Sequence, residues 1–384
     1  MHDFIGKLLL LIPSFLREYL LLVTSIRNPL RSVKKITNIK KLSNTLHKSE
    51  WGSLDNDIDI WKNAFINLSL RTTTGIEIAN CFFNNDLTMK KAAGRNNDLI
   101  VVCVVKDDLV RIKSFYQHYR SLGVQKFAIL DNSSTDGTYE WLLEQDDTDV
   151  FHTTTPYSTN RRQGWINRLI SYYGFNRWYL IVDADEHLMF EGMESKSISD
   201  FKEHAWRKGN FRVRTLTVDM YSKHSLNEKV PDNDYVSSYI YFDSDNYREK
   251  KNYCFKYIDG GMRVRMFKGD NEKFNPYLTK YPLIYFQKGD IQYNSHYSFP
   301  FHKNFRSKCW GALFHYKFLP SDLKKYNEIA LSGSFYNGSY EYKQYISIYN
   351  KNPNMTFIYS GSKRYVDSNS LKLISKIDQV GWGT

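Results

Sequence analysis

Two carboxylates, Asp183 and Asp185, leave the apolar run Trp178-Tyr-Leu-Ile-Val182 with only Ala184 between them. At that spacing both can reach one hard divalent cation, and the small Ala184 keeps the approach open. Mg²⁺ and Mn²⁺ take oxygen ligands and keep positions for phosphate oxygens and water. A cation held there can bridge a nucleoside diphosphate and neutralise charge that develops on a leaving group. The same tripeptide also fits an acidic strand end capping the next helix, so its surroundings decide. Glu186 follows directly. Upstream, Asp131-Asn-Ser-Ser-Thr-Asp-Gly-Thr138 ends another apolar run, Phe127-Ala-Ile-Leu130. An acid at such a strand end is where doubly wound folds contact a ribose or base. Ser, Thr, Asp and Gly also form capping turns, and the two roles are compatible.

The elements that must position these residues follow from hydrophobic patterning. Leu99-Ile-Val-Val-Cys-Val-Val105 is a short β-branched run and reads as a strand buried on both faces. Asp107–Leu122 carries Leu109, Ile112, Phe115, Tyr116 and Tyr119 at helical spacing, and Gly123 stops it. Residues 127–130, 149–152 and 178–182 read as further strands, with helices at 138–144 and 163–173. Strands alternating with helices predict a doubly wound, mostly parallel, Rossmann-like sheet, whose ligands sit at the carboxyl ends of its strands. Lys106-Asp107, Asp131 and Asp183–Glu186 then share one rim.

Composition narrows the setting. The 384 residues include 53 Lys/Arg against 41 Asp/Glu, a net +12 that suits an anionic partner. Half of that excess lies in residues 1–50. There, apolar Leu8–Ile12 and Tyr19–Val23 precede Arg27, Arg31, Lys34, Lys35, Lys40 and Lys41. Pro13, Arg17 and Glu18 interrupt the apolar stretch short of the roughly 18–20 residues needed to span a bilayer. No small-residue cleavage site of the secretory type is visible. The segment reads either as an interfacial helix backed by a polybasic stretch or as a helix packed on the main domain. The four cysteines, Cys81, Cys103, Cys254 and Cys309, form no CxxC pair, which excludes zinc-finger spacing and fits a reducing, cytoplasmic setting.

Several motifs recur in one order: Val104-Val-Lys-Asp-Asp108, Leu130-Asp-Asn-Ser-Ser-Thr-Asp-Gly-Thr138, Val182-Asp-Ala-Asp-Glu186 and Val218-Asp-Met-Tyr221. Further on stand Gly260-Gly-Met-Arg-Val-Arg-Met-Phe267, Thr279-Lys-Tyr-Pro-Leu283, Ser295-His296 and Leu313-Phe-His-Tyr-Lys-Phe-Leu319. In this the chain resembles bacterial glycosyltransferases of the family 2 type, in the branch with Asp-Ala-Asp-Glu followed by Asp-Met-Tyr, over residues 98–370. The resemblance implies a GT-A fold at 96–320, with a mainly helical extension at 1–95 and a helical or irregular segment at 321–384.

It also implies transfer of a sugar, usually with inversion, from a nucleotide donor (a UDP-sugar as first choice) to a hydroxyl of a glycan or lipid-linked saccharide. The setting implied is bacterial surface polysaccharide synthesis, at the cytoplasmic face of the membrane. Asp183, Asp185 and His315 would hold Mn²⁺ or Mg²⁺. Lys106, Asp131, Asp183, Arg263, Arg265 and Lys317 would contact the donor, with the two arginines on one face of a strand. Asp219, Asp243, Glu186 and His296 are the candidates for the base that takes the acceptor proton; no Glu-Asp pair follows Asp185 to fill that role. A nucleotidyltransferase acting on sugar phosphates should show a glycine-rich phosphate loop at its first strand, and Val104–Leu109 has none. A nucleic-acid binder would not gather acids on one rim. A non-catalytic glycan-binding relative would have little use for the Asp183/Asp185 pair.

Overall fold

Seven consecutive apolar residues, Leu99–Val105, cannot alternate between core and water, so the strand they form must be covered on both faces. The computed structural model describes residues 29–44, 54–84, 86–94, 97–228, 234–251, 256–269, 271–272, 274–304, 307–333 and 335–383. Its strands are β1 (Thr88–Lys91), β2 (Leu99–Val105), β3 (Phe127–Asp131), β4 (Thr148–His152), β5 (Arg177–Ile181), β6 (Glu186–Phe190) and β7 (Arg212–Asp219). There follow β8 (Tyr241–Asp243), β9 (Tyr247–Lys251), β10 (Lys256–Gly260), β11 (Thr279–Phe286), β12 (Ile291–Gln292), β13 (Ser298–Phe299), β14 (Cys309–His315) and β15 (Ser362–Arg364). The helices are α1 (Pro29–Asn44), α2 (Leu54–Arg71), α3 (Gly75–Phe83), α4 (Leu109–Ser121), α5 (Thr138–Leu143) and α6 (Thr159–Tyr173). They continue with α7 (Ile198–Arg207), α8 (Tyr235–Ser238), α9 (Gly261–Phe267), α10 (Asp322–Ser332) and α11 (Tyr336–Lys351).

Nine strands form one sheet in the order β1-β4-β3-β2-β5-β11-β7-β14-β6. Strands β4, β3, β2 and β5 are mutually parallel. Strand β11 is antiparallel to both β5 and β7, and β14 is parallel to β7. Strands β2, β3, β4, β5, β7 and β14 therefore point one way; β1, β6 and β11 point the other. The order β4-β3-β2-β5 is that of half a dinucleotide-binding sheet: the chain steps outward from β2 to β4, then returns to the far side of β2. This is the mixed α/β, mostly parallel, Rossmann-like sheet expected.

Alternate residues of the central strands serve two cores. Leu99, Val101, Cys103 and Val105 pack with Phe115 and Tyr119 of α4, Leu142 of α5 and Phe201 of α7. Ile100 and Val102 face Trp165, Ile166 and Leu169 of α6 together with Trp61, Phe65 and Phe82 of α2 and α3. Trp61 lies 4.8 Å from both the Phe82 and Phe175 rings. Helices α2 and α3 thus complete the sheet's own core. In α1, Ile39 is buried, Lys35 donates to the Ser69 and Thr72 carbonyls, and Lys34, Lys40 and Lys41 are exposed. This part of the basic segment is packed on the domain. Leu8–Ile12 and Tyr19–Val23 lie outside the described residues, and among those described no helix is long and apolar enough to cross a membrane. Cys81, Cys103 and Cys309 are free thiols; Cys254 is outside the described residues.

After β14, α10 and α11 pack on each other, and β15 pairs with β8. Phe318, Tyr326, Tyr345 and Phe357 share one apolar cluster with Phe267 of α9.

Candidate functional site

Because six strands run the same way, five of their carboxyl ends meet on one rim: Val105, Asp131, Ile181, Asp219 and His315. Register does the rest. His315 lies beside Asp219 in the parallel β14–β7 pair and opposite Glu186 in the antiparallel β14–β6 pair. His315 Nδ1 is 2.7 Å from Asp219 Oδ1, and its Nε2 is 3.2 Å from Asp185 Oδ2. A carboxylate on each nitrogen favours the protonated imidazole while no metal is bound. Burial opposes that charge, but Asp185 and Asp219 outweigh it and raise the pKa. Burial alone would raise the Asp185 carboxyl too, yet the His315 imidazolium brings it well below the usual range.

Basic side chains enter the same space from other elements. Lys280, at the start of β11, places Nζ 3.0 Å from Asp183 Oδ2 and 2.5 Å from Glu186 Oε1. Arg162, in the first turn of α6, pairs with Asp183 Oδ1, and Arg263 Nε donates to Asp219 Oδ2 at 2.9 Å. Carboxylates Asp183, Asp185, Glu186 and Asp219 thus face Arg162, Lys280, Arg263 and His315. Burial works against ionised Asp183, and Arg162 and Lys280 override it, so its pKa falls. Burial dominates at Glu186, whose pKa rises despite Lys280. This balance is what allows so much charge below the surface.

Asp131 is fully buried. Its Oδ2 accepts from the Ser134 N–H at 3.1 Å, while its Oδ1 and the Oδ1 of Asn132 have no partner among the described residues. Both acceptors stand at the end of β3, beside the chain reversal. The exposed Lys106 makes no side-chain hydrogen bond or ion pair among the described residues, but its carbonyl accepts from Lys325 at 3.1 Å. Lys317 is nearly buried, with Nζ 4.9 Å from the centre of the Tyr342 ring and 5.8 Å from that of Tyr345. Arg111 of α4 binds the Tyr316 carbonyl, Asp108 and Asp322, which ties the end of β14 and the start of α10 to the end of β2.

Three expectations are corrected by the geometry. Arg263 and Arg265 lie on a helix, not a strand. Gly260 (φ 112) and Gly261 (φ 64) adopt left-handed backbone that only glycine takes easily, and they end the hairpin strand and start α9. Two residues apart on a helix, the arginines diverge: Arg263 goes to Asp219, whereas Arg265 pairs with Asp243 through two 2.9 Å bonds and lies 4.0 Å from the Tyr359 ring. Asp243 also accepts from Tyr221 at 2.7 Å, so it belongs to the β8–β15 side and not to the rim cluster. Helix α6 begins at Thr159 rather than 163, because the Ser158 side chain caps it by accepting from the Arg161 N–H.

His296 donates Nδ1–H to the Thr279 carbonyl at 2.9 Å, next to Lys280, and its Nε2 has no partner among the described residues. Burial, with Lys280 and Arg263 nearby, lowers its pKa to about 4. Residues that sequence reasoning missed are Arg162, Lys280 and Glu341, whose carboxylate lies 3.8 Å from Arg263. Arg162 carried a signal: α6 has basic residues and no acid in its first turn, against the helix dipole, which asks for an anion nearby.

Among the described residues, Asp185, Glu186 and His315 offer ligand atoms within 4.8 Å of one another. Two carboxylates and an imidazole suit Mn²⁺ or Mg²⁺ with positions left for other oxygens. This set differs from the expected one in substituting Glu186 for Asp183, which is turned to Arg162 and Lys280. The chain matches no family model and no curated protein.

Proposed function

We propose that the chain is a nucleotide-sugar-dependent glycosyltransferase with a GT-A arrangement, its donor lying across the β2–β5 crevice. The observation that carries this reading is the convergence of Asp185, Glu186, His315, Arg162 and Lys280 where the strand order reverses. Such crevices, outside the carboxyl ends of parallel strands, are where open α/β sheets take ligands. The unpartnered acceptors of Asp131 and Asn132 support a nucleoside at the end of β3. Asp185, Glu186 and His315 would hold Mn²⁺ or Mg²⁺, which supplies positive charge to the departing diphosphate. Arg263 keeps Asp219 ionised, and Asp219 in turn orients His315.

The base is assigned by elimination. Glu186, Asp219 and Asp243 are each paired to a cation. His296 keeps a lone pair on Nε2, because Nδ1–H is committed to Thr279, and its low pKa leaves it neutral at pH 7. It accepts the acceptor hydroxyl proton as that oxygen attacks the sugar. The acceptor proposed is a glycan or lipid-linked saccharide, in bacterial surface polysaccharide synthesis at the cytoplasmic membrane face, with residues 1–50 as the basic contact.

Incubation with UDP-, GDP- and CMP-sugars plus Mn²⁺ or Mg²⁺, with release of nucleotide as the readout, tests the reading. Turnover with at least one donor is expected; absence of both turnover and binding with every donor sinks it.

A further inference from the structure

Both carboxylate oxygens of Asp183 are taken by cations: Oδ1 by Arg162, Oδ2 by Lys280 at 3.0 Å. Within this trio the cations are the hidden partners. The Arg162 and Lys280 side chains are 7% and 12% exposed, against 30% for Asp183. Arg162 also sits in the first turn of a fifteen-residue helix, where a basic residue is unfavourable unless an anion answers it. Its Nη1 donates to Ser295 at 3.3 Å, and Lys280 is anchored on its other side by Glu186 at 2.5 Å. Two cations from separate elements are therefore fixed in place, and the anion they share is the most accessible member. An incoming ligand with two linked anionic oxygens can displace that one carboxylate without repacking either cation.

We propose that Arg162 and Lys280 form a diphosphate-binding pair that Asp183 holds in reserve. The proposal rests on the nucleotide-sugar reading above and deepens it. When a diphosphate arrives, its oxygens replace the Asp183 carboxylate on Arg162 and Lys280. The released Asp183 then adds a second Asp oxygen to the ligand set of Asp185, Glu186 and His315. Diphosphate and divalent cation bind cooperatively for this reason, and the coupling is reciprocal. While no diphosphate is bound, Lys280 competes with the metal at Glu186 and keeps Asp183 from it.

The test uses the full chain. Calorimetric titration with inorganic pyrophosphate, in chelator so that no metal takes part, compares wild type with Asp183→Asn and Lys280→Gln. Removing the competing carboxylate tightens pyrophosphate binding about tenfold in Asp183→Asn, and removing a cation weakens it about tenfold in Lys280→Gln, the order of one charged contact in a partly desolvated site. Unchanged or weaker binding in Asp183→Asn overturns the proposal. A second measurement covers the case in which Asp183→Asn does not fold: Mn²⁺ alone, followed by the loss of its free electron paramagnetic resonance signal. Lys280→Gln binds Mn²⁺ several-fold more tightly than wild type if Lys280 competes with the metal; equal or weaker binding overturns the proposal. Neither arm contains a nucleotide. Failure of the glycosyltransferase reading is seen separately, as loss of nucleotide-sugar binding and turnover.

Discussion

His315 is the residue on which the rim turns, since it touches Asp185 through one nitrogen and Asp219 through the other. Its raised pKa makes a prediction with a definite sign. The folded state holds the proton more tightly than the unfolded chain, so this contribution to stability is complete below the ordinary value of 6.5. It is lost as pH rises through the higher folded value. Thermal unfolding in chelator, followed upward from about pH 6, should show wild type losing stability as pH rises, and His315→Gln should lack that part of the slope. Asp185→Asn should lower turnover by at least about 100-fold, as loss of a preorganised charge does. Because Asp185 faces the buried His315, the same change should also lower stability, read by denaturant unfolding alongside the loss of turnover. Asp183, Asp185 and Asp131 stood out in the sequence because they follow apolar strands directly. Arg162 and Lys280 did not, because only folding brings the first turn of α6 and the start of β11 to the same carboxylate.

At the scale of elements, α6 must lie close to the sheet and to α3 for Arg162 to reach Asp183. Gly164 permits that approach: a Cβ there would run into Cys81 and come within 3.0 Å of the Ile78 carbonyl and the Phe82 N–H nitrogen. Gly164→Ala should destabilise the protein by about 1–3 kcal/mol, measured by denaturant unfolding, because the helices have to separate. It should also weaken donor binding through Arg162. Strands β2, β3 and β5 were legible from their apolar runs, since a strand buried on both faces has no other pattern to show. Helix α9 was not. Gly260-Gly-Met-Arg-Val-Arg alternates like a strand, and the left-handed backbone at Gly260 and Gly261 overrides that pattern. The link from β8 to β15 depends on distant pairing, which no local period reveals.

Over the whole molecule, α2 and α3 belong to the core of the sheet. Trp61 is fully buried among Phe65, Phe82, Phe175 and Phe286, a cluster built from both the leading helices and the sheet. Trp61→Ala should cost about 3–5 kcal/mol of unfolding free energy. A chain begun at residue 97 should show no cooperative thermal transition, because the part of one sheet face that α2 and α3 cover would be left bare; a sharp transition in that truncation would contradict the shared core. The basic excess of the first fifty residues was visible in composition, but its packing was not, because Lys35 and Ile39 find their partners in α2 and beyond.

The rim, on the function proposed, binds a nucleoside diphosphate together with a divalent cation. Equilibrium binding of UDP, GDP and CDP to wild type and to Asp185→Asn, with and without Mn²⁺, tests it most directly. At least one nucleotide should bind wild type about tenfold or more tightly with Mn²⁺ than without, and Asp185→Asn should lose that difference. Binding that ignores both Mn²⁺ and Asp185 would contradict the claim.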